Sequence, residues 1–279
     1  MALNPDTLLD RPPIETRQTI APFQIMLYAL GVGADELQFT YEEGLQVLPT
    51  MAVTMAYPGF IWRDPALGVD WQKILHADTG LILHAPLPTE GELVGMTRFE
   101  AVYDKGADKG AMVVQRRDIA LADGTPIATI RNTTYLRGDG GCGGSPGPQP
   151  APHAIPDGAP DRVVSLGTRP DQALLYRLAS GDMNPLHADP EVARAAGFDR
   201  PILHGLATYG IAGRALLRAL VGNDPARIRR LDARFSAPVF PGETIETSIW
   251  READGKAAFR ARVVERDRVV LNNGYVEFQ

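Results

Sequence analysis

Apolar positions divide this chain into strand-like runs and a smaller number of helical ones. The first half carries strand-like segments at Ile74–Leu83, Leu93–Tyr103, Met112–Leu121 and Ile127–Leu136, parted in places by turns at Asp104-Lys105-Gly106 and Asp123-Gly124. The second half carries them at Ile228–Phe235, Thr244–Trp250, Ala257–Glu265 and Val269–Phe278, the last two reading as a hairpin. Pro22 to Leu30 reads as a short helix that stops at Gly31-Val32-Gly33, and Leu37 to Tyr41 as a strand. Met1 to Thr19 is a polar, extended lead-in. A second apolar stretch, Met51 to Tyr57, is broken by Pro58-Gly59. From Leu206 to Val221 the pattern is apolar on nearly every side, which predicts a buried helix ending at Gly222. Its one exception, Arg214, is expected to mark a solvent-facing edge.

Between the halves lies GDGGCGGSPGPQPAPHAIPDGAP, the clearest linker composition in the chain. It suggests units at 1–137 and 161–279, joined by 138–160. The halves echo each other. Leu27-Tyr28-Ala29-Leu30 returns as Leu175-Tyr176-Arg177-Leu178, and Ala85-Pro86-Leu87-Pro88 returns within Ala237-Pro238-Val239-Phe240-Pro241, each about 150 residues on. Helix first and strands after, twice over, fits an α+β fold of two tandem units, each with its helix on one sheet face.

Composition narrows the function. A chain of 279 residues, 44% hydrophobic, can bury a sizeable core. Its net charge of −6 argues against nucleic-acid or anionic-membrane partners, and no apolar run approaches the ~18 residues of a membrane span. A single cysteine, Cys142, rules out an internal disulfide framework and suggests a reducing compartment. The start lacks a signal-peptide pattern and Glu277-Phe278-Gln279 is not a peroxisomal address, so cytoplasm is the default expectation.

The chemistry gathers between Tyr176 and Gly222. Asp182, Asn184 and His187 sit in a segment that proline keeps out of regular helix, because Asn184 precedes Pro185 and Asp189 precedes Pro190. Asp189 is then placed to cap a helix that stops at Gly197. Asp182 and His187 on one loop can share a water and remove its proton, and Asn184 can orient it. Gly205 opens the buried helix, so its N–H is free to meet an oxygen on which negative charge develops. This set suits addition of water to, or its loss from, a group conjugated to a carbonyl. A metal reading through Asp182, His187, Asp189 and His204 finds no matching spaced pair elsewhere and is set aside. His204 reads as a hydrogen-bonded core histidine. Aligning the Leu-Tyr-x-Leu runs places Ala34 opposite Asp182, and the first half has no Asn-Pro-Leu-His. Chemistry is therefore expected in the second unit only.

GDMNPLHADPEVARAAGFDRPILHGL resembles the signature of the 2-enoyl-CoA hydratase 2 family, also called MaoC-like dehydratases. The similarity extends over almost the whole chain, through LYALGVGADELQFTYEE, VLPTMAV, LHADTGLILHAPLPTEGEL and VYDKG. It implies two tandem hotdog units, each an antiparallel sheet wrapped around a helix, and the reversible hydration of trans-2-enoyl-CoA to (R)-3-hydroxyacyl-CoA without metal or redox cofactor. In such proteins the first unit's central helix is shortened to admit longer acyl tails, and Pro58-Gly59 would supply the break. The resemblance implies Asp182 and His187 as acid/base pair, Asn184 as their polar partner and Gly205 as oxyanion donor. It places His76, Ala77, Lys105 and Phe235 at ligand-contacting positions, together with Met183, Pro185 and Leu186 of the signature. Ala77 stands where the family usually has glycine, and Cys142 where phenylalanine is common. The expected partner is an acyl-CoA substrate, with a homodimer left open. Two other readings are a hotdog thioesterase, which would release free thiol, and a non-catalytic acyl-CoA-binding or scaffold subunit, which would show no turnover.

Overall fold

The computed structural model describes residues 3–145 and 148–279; the linker's Pro146 and Gly147 and the lead-in's Met1 and Ala2 lie outside the described residues. In chain order the first half runs α1 (Pro5–Leu9), β1 (Ile14–Ile20), α2 (Pro22–Gly31), α3 (Leu37–Thr40), a 3-10 turn at Pro49–Thr54, β2 (Ile74–Leu83), β3 (Gly91–Asp104), β4 (Ala111–Leu121) and β5 (Pro126–Leu136). The second half runs β6 (Arg162–Gly167), α4 (Gln172–Ser180), a 3-10 turn at Pro185–His187, α5 (Pro190–Ala195), α6 (Gly205–Leu220), β7 (Ile228–Phe235), β8 (Thr244–Ala253), β9 (Lys256–Val263) and β10 (Arg268–Phe278). The ten strands form one antiparallel sheet in the order β1-β3-β4-β5-β2-β7-β10-β9-β8-β6. Read from either end, equivalent strands come in the same order, so the duplication legible in the sequence is a pseudo-two-fold in space. This is the expected pair of tandem hotdog units.

The two units meet at β2 and β7, which pair from Asp78↔Arg234 to Ile82↔Arg230 with Gly80↔Asp232 at the centre. A Cβ on Gly80 would lie 2.8 Å from Asp232 Oδ1, so glycine there leaves room for that carboxylate, which a larger residue would displace. On the inner face α2 packs on α4, with the Tyr28 and Tyr176 rings 6.0 Å apart. α6 is enclosed along almost its whole length. Its glycines admit the first unit: a Cβ on Gly210 would meet Val32 Cγ1 at 2.5 Å, and one on Gly213 would meet Thr50 Cγ2 at 2.6 Å. Thr50 belongs to the 3-10 turn that stands where a second central helix would run. That helix ends sooner than Pro58-Gly59, at Met55, which is extended, and Ala56, which takes φ +44°.

Several expectations need correction. Leu37–Thr40 is a helical turn, not a strand: Phe39 alone is buried, Leu37 points to solvent, and Tyr41 N–H returns to Leu37 O. The lead-in is not simply extended chain, since it contains α1 and β1, the latter pairing with β3 along its full length. The linker is not a free tether. Asp104 accepts the N–H groups of Gly141 and Gly143, Ser145 N–H donates to Val102 O, and Trp250 Nε1 donates to Gly158 O.

Arg214 does not mark a solvent edge. It is 4% exposed, and it donates to Val32 O, Asp35 Oδ1 and Glu36 Oε2 at 3.1–3.2 Å, with Arg218 reinforcing the same two carboxylates. The first unit's acidic turn thus neutralises a cation on the second unit's helix. Burial opposes the charge of Glu36, but its hydrogen bonds and the two arginines outweigh that and hold its carboxyl down at about 2. A depressed carboxyl stabilises the fold above its unfolded value near 4.5 and loses that contribution as pH falls through the folded one. Glu36→Gln should therefore cost about 1.5–3 kcal/mol at neutral pH, and the gap to the parent should close between pH 4.5 and 2, as read by urea unfolding across that range.

Candidate active site

Backbone chemistry shapes the loop after α4. Gly181 takes φ +72° and closes the helix with its N–H on Arg177 O. Asp182 N–H then meets Ser180 Oγ at 3.2 Å, and Asp182 Oδ1 accepts Asn184 N–H at 3.1 Å. Asn184 Oδ1 accepts Leu186 N–H at 3.1 Å, opening the Pro185–His187 turn. That leaves one Asp182 oxygen and the Asn184 amide NH₂ for a ligand. Asp189 caps α5 through Glu191 N–H, as its sequence predicts. Met183 and Pro185 are exposed and Leu186 is half-buried.

Two imidazoles form the floor. His187 is buried, and its Nδ1 lies 2.8 Å from Ile202 O. A carbonyl only accepts, so Nδ1 carries the proton and Nε2 is left as an open base. His204 is also buried, but only half satisfied: its Nε2 lies 3.3 Å from Asp182 O, while its Nδ1 is buried without a partner among the described residues. Its ring stacks on His187 at 3.6 Å between centroids and 26° between planes. Burial lowers the His187 pKa; burial and then the neighbouring His187 bring His204 down to about 4. Both rings are therefore neutral at pH 7.

The next residue is Gly205, the first of α6 and exposed, so its N–H has no intrahelical partner and lies at the positive helix end. A Cβ there would meet Phe235 Cε1 at 3.2 Å. Phe235 faces the His76 ring at 4.7 Å, which brings strand β2 of the first unit to the mouth of the second. His76 Nε2 lies 2.8 Å from Thr79 Oγ1. Ala77 sits in a register shift of β2 between His76 and Asp78. Lys105 stands apart, on the β3–β4 turn, where it lines a surface groove of about 1430 Å³ with Asp78 and Arg234. Asp182, Asn184, His187 and Gly205 do not line that groove.

Comparison with known proteins identifies the family. The MaoC like domain family matches residues 152–273, and the MFE-2 hydratase 2 N-terminal domain family matches residues 20–138. The 3-hydroxyacyl-thioester dehydratase Y of Mycobacterium tuberculosis is 47% identical over 91% of both chains. The enoyl-CoA hydratase ChsH3 of the same organism is 39% identical over 94% of this chain and 93% of its own. A crystal structure of a MaoC-like dehydratase from Phytophthora capsici superposes with a TM-score of 0.90 at 35% identity, covering 98% of each chain. The chain belongs to the MaoC-like dehydratase family.

In this MaoC-like dehydratase one oxygen of Asp182 and one nitrogen each of His187 and His204 come within 4.8 Å of one another, so the metal reading gains three of its four residues and loses Asp189 to the α5 cap. The stacked rings weigh against it, because parallel imidazoles present their lone pairs side by side rather than converging on one ion. Three neighbours went unread in the sequence. Tyr57 of the first unit and Tyr176 of α4 both feel the Asp182 charge, which adds to burial in raising their hydroxyl pKa values. Arg177 follows Tyr176 and has a buried, unpartnered Nη1. Tyr176 belongs to a recognised repeat, but nothing in the repeat sets it against His204, 5.0 Å away.

The neutral histidines carry a pH signature. Between pH 6.5 and about 4 the unfolded chain binds a proton at His204 that the folded chain excludes, so stability must fall as pH falls across that window. His204→Phe keeps an aromatic ring against His187 and should flatten this slope, measured by urea unfolding at pH 7 and pH 5.

Proposed function

We propose that this protein hydrates trans-2-enoyl-CoA thioesters to (R)-3-hydroxyacyl-CoA, reversibly, with one catalytic site per chain. The observation that carries the reading is the Asp182 carboxylate within 4.8 Å of a ring nitrogen of His187, a histidine whose Nδ1 is held by Ile202 O, at the N-terminus of a buried helix that begins with Gly205. His187 Nε2 takes a proton from water as the oxygen bonds to C3. The electron pair of the double bond moves to C2 and the thioester oxygen, where Gly205 N–H meets the growing negative charge. A proton returned to C2 from the Asp182–His187 pair completes the addition. Asn184, with its NH₂ free, orients the water. This chemistry calls on no metal and no redox cofactor. The relatives that are dehydratases and hydratases of acyl thioesters support the substrate class. In this reading His76, Ala77, Phe235, Met183, Pro185 and Leu186 line the thioester's approach, and Lys105 holds a phosphate of CoA further out. Ala34, the counterpart of Asp182, is buried in the core, which supports a first unit without chemistry. The single free cysteine, Cys142, supports a reducing, cytoplasmic setting.

Absorbance of the conjugated thioester measures the reaction directly, and product chirality fixes the face of addition. Asp182→Asn and His187→Gln should each lower kcat by about 10²–10⁴-fold with a smaller change in KM. Near-parent turnover in either folded variant would remove that residue from the mechanism. Gly205→Val should lower kcat/KM by about tenfold or more, because the branched side chain crowds Phe235 and the thioester. Release of free thiol from a saturated acyl-CoA, scored in the same samples, would instead indicate a thioesterase.

A further inference from the structure

One buried cation in the first unit lacks a counter-charge. Arg117 lies on the inner face of β4 and is 3% exposed. Its Nη2 donates to Val53 O at 2.6 Å, and the guanidinium carbon sits 5.3 Å from the centre of the Tyr57 ring. Among the described residues no carboxylate pairs with it, and its buried Nε has no partner. Thr97 Oγ1, also buried, is likewise unpartnered. Both side chains line one small cavity of about 20 Å³, together with Tyr57, Gln115, Ile130 and Asn132. That is room for roughly one water-sized group. An unpaired buried charge is costly, and an apolar residue of similar volume would serve a core at least as well. Burial alone pulls this guanidinium down to about 10, against a weak opposing effect of Tyr57.

The cavity is linked by direct contacts to the candidate site. Tyr57, Pro58, Gly59, Ile61 and Trp62 also line it. Asn132 accepts from Thr79, and Thr79 is bonded to His76, whose ring meets Phe235 beside Gly205. Tyr57, on its rim, feels the charge of Asp182. The Val53 carbonyl fixes one edge of the guanidinium and leaves the Nε edge for another acceptor.

We propose that Arg117 and Thr97 receive an oxygen acceptor carried on the substrate's acyl chain, so that the protein selects enoyl-CoAs with a carboxylate or hydroxyl on the chain over plain alkyl ones. This rests on the hydration reading above. A carboxylate would gain a charge-assisted bond and a hydroxyl a weaker one.

The test compares trans-2-enoyl-CoAs of increasing length with an unsubstituted, a hydroxylated or a carboxylated chain end, in the parent and in Arg117→Met. At one length the oxygenated ester should be preferred by about ten- to a hundredfold in kcat/KM, chiefly through KM. In Arg117→Met that ratio should collapse towards one, and in Thr97→Val it should fall severalfold. The two substituted arms separate an anionic acceptor from a neutral one. Calorimetric binding of the corresponding saturated acyl-CoAs gives the same ratio without turnover. Absence of hydration would then overturn the function reading while the affinity ratio still decides the role of Arg117. A ratio near one at every length in the parent overturns the proposal. So does a parent-like ratio in Arg117→Met with a lowered Tm, which would reduce Arg117 to a cap on the Val53 carbonyl.

Discussion

α6 cannot exist as drawn unless something covers it on all sides, and most of the structure follows from that requirement. Its residues are apolar or small on nearly every face, so a single sheet layer would leave half of it wet. The second unit's sheet covers one side, and α2 with the Pro49–Thr54 turn covers another. The glycines at 210 and 213 set how closely they come. Arg214 belongs to the same logic. It is buried by the first unit and neutralised by the first unit, through Asp35 and Glu36. The first unit is therefore part of the environment of α6.

That dependence reaches the chemistry. The N-terminus of α6 is held in place by the rest of the helix, and it delivers His204 and Gly205 in consecutive positions. His204 turns inward onto His187, while Gly205 faces outward against Phe235. Stacking of the two neutral rings holds the His187 imidazole against His204, beside the loop that carries Asp182. Ile202 fixes its tautomer through a backbone carbonyl two residues before His204. A short stretch, Ile202 to Gly205, thus sets the His187 tautomer, the ring stack and the open start of α6 together.

The parts of this arrangement visible in the sequence are those written in local code. Prolines after Asn184 and Asp189 announce the irregular loop and the cap, and strand alternation locates β2 and β7 to the residue. The repeat is visible because two short runs kept their residues. Contacts between distant elements were not visible. Arg214 looks like an edge residue until the acidic turn at Asp35, 179 positions away, is known to fold against it. Leu37–Thr40 has strand-like apolar residues but no neighbouring strand to pair with. The stacking of His187 on His204, and the reach of Tyr57 towards Asp182, depend on tertiary geometry that no spacing records.

Gly80 and Asp232 face each other on the pseudo-two-fold. In a dimer of identical single units, the residue on such an axis meets its own copy. Two aspartates there would repel, and two glycines would leave a hole. Asp232 instead fills the space above Gly80, its carboxylate raised in pKa by burial and held by Arg230. That pairing is open only to a chain in which the two copies can mutate separately. Carrying both copies in one chain frees the axis from symmetry, and the same freedom allows Ala34 in one copy where the other has Asp182.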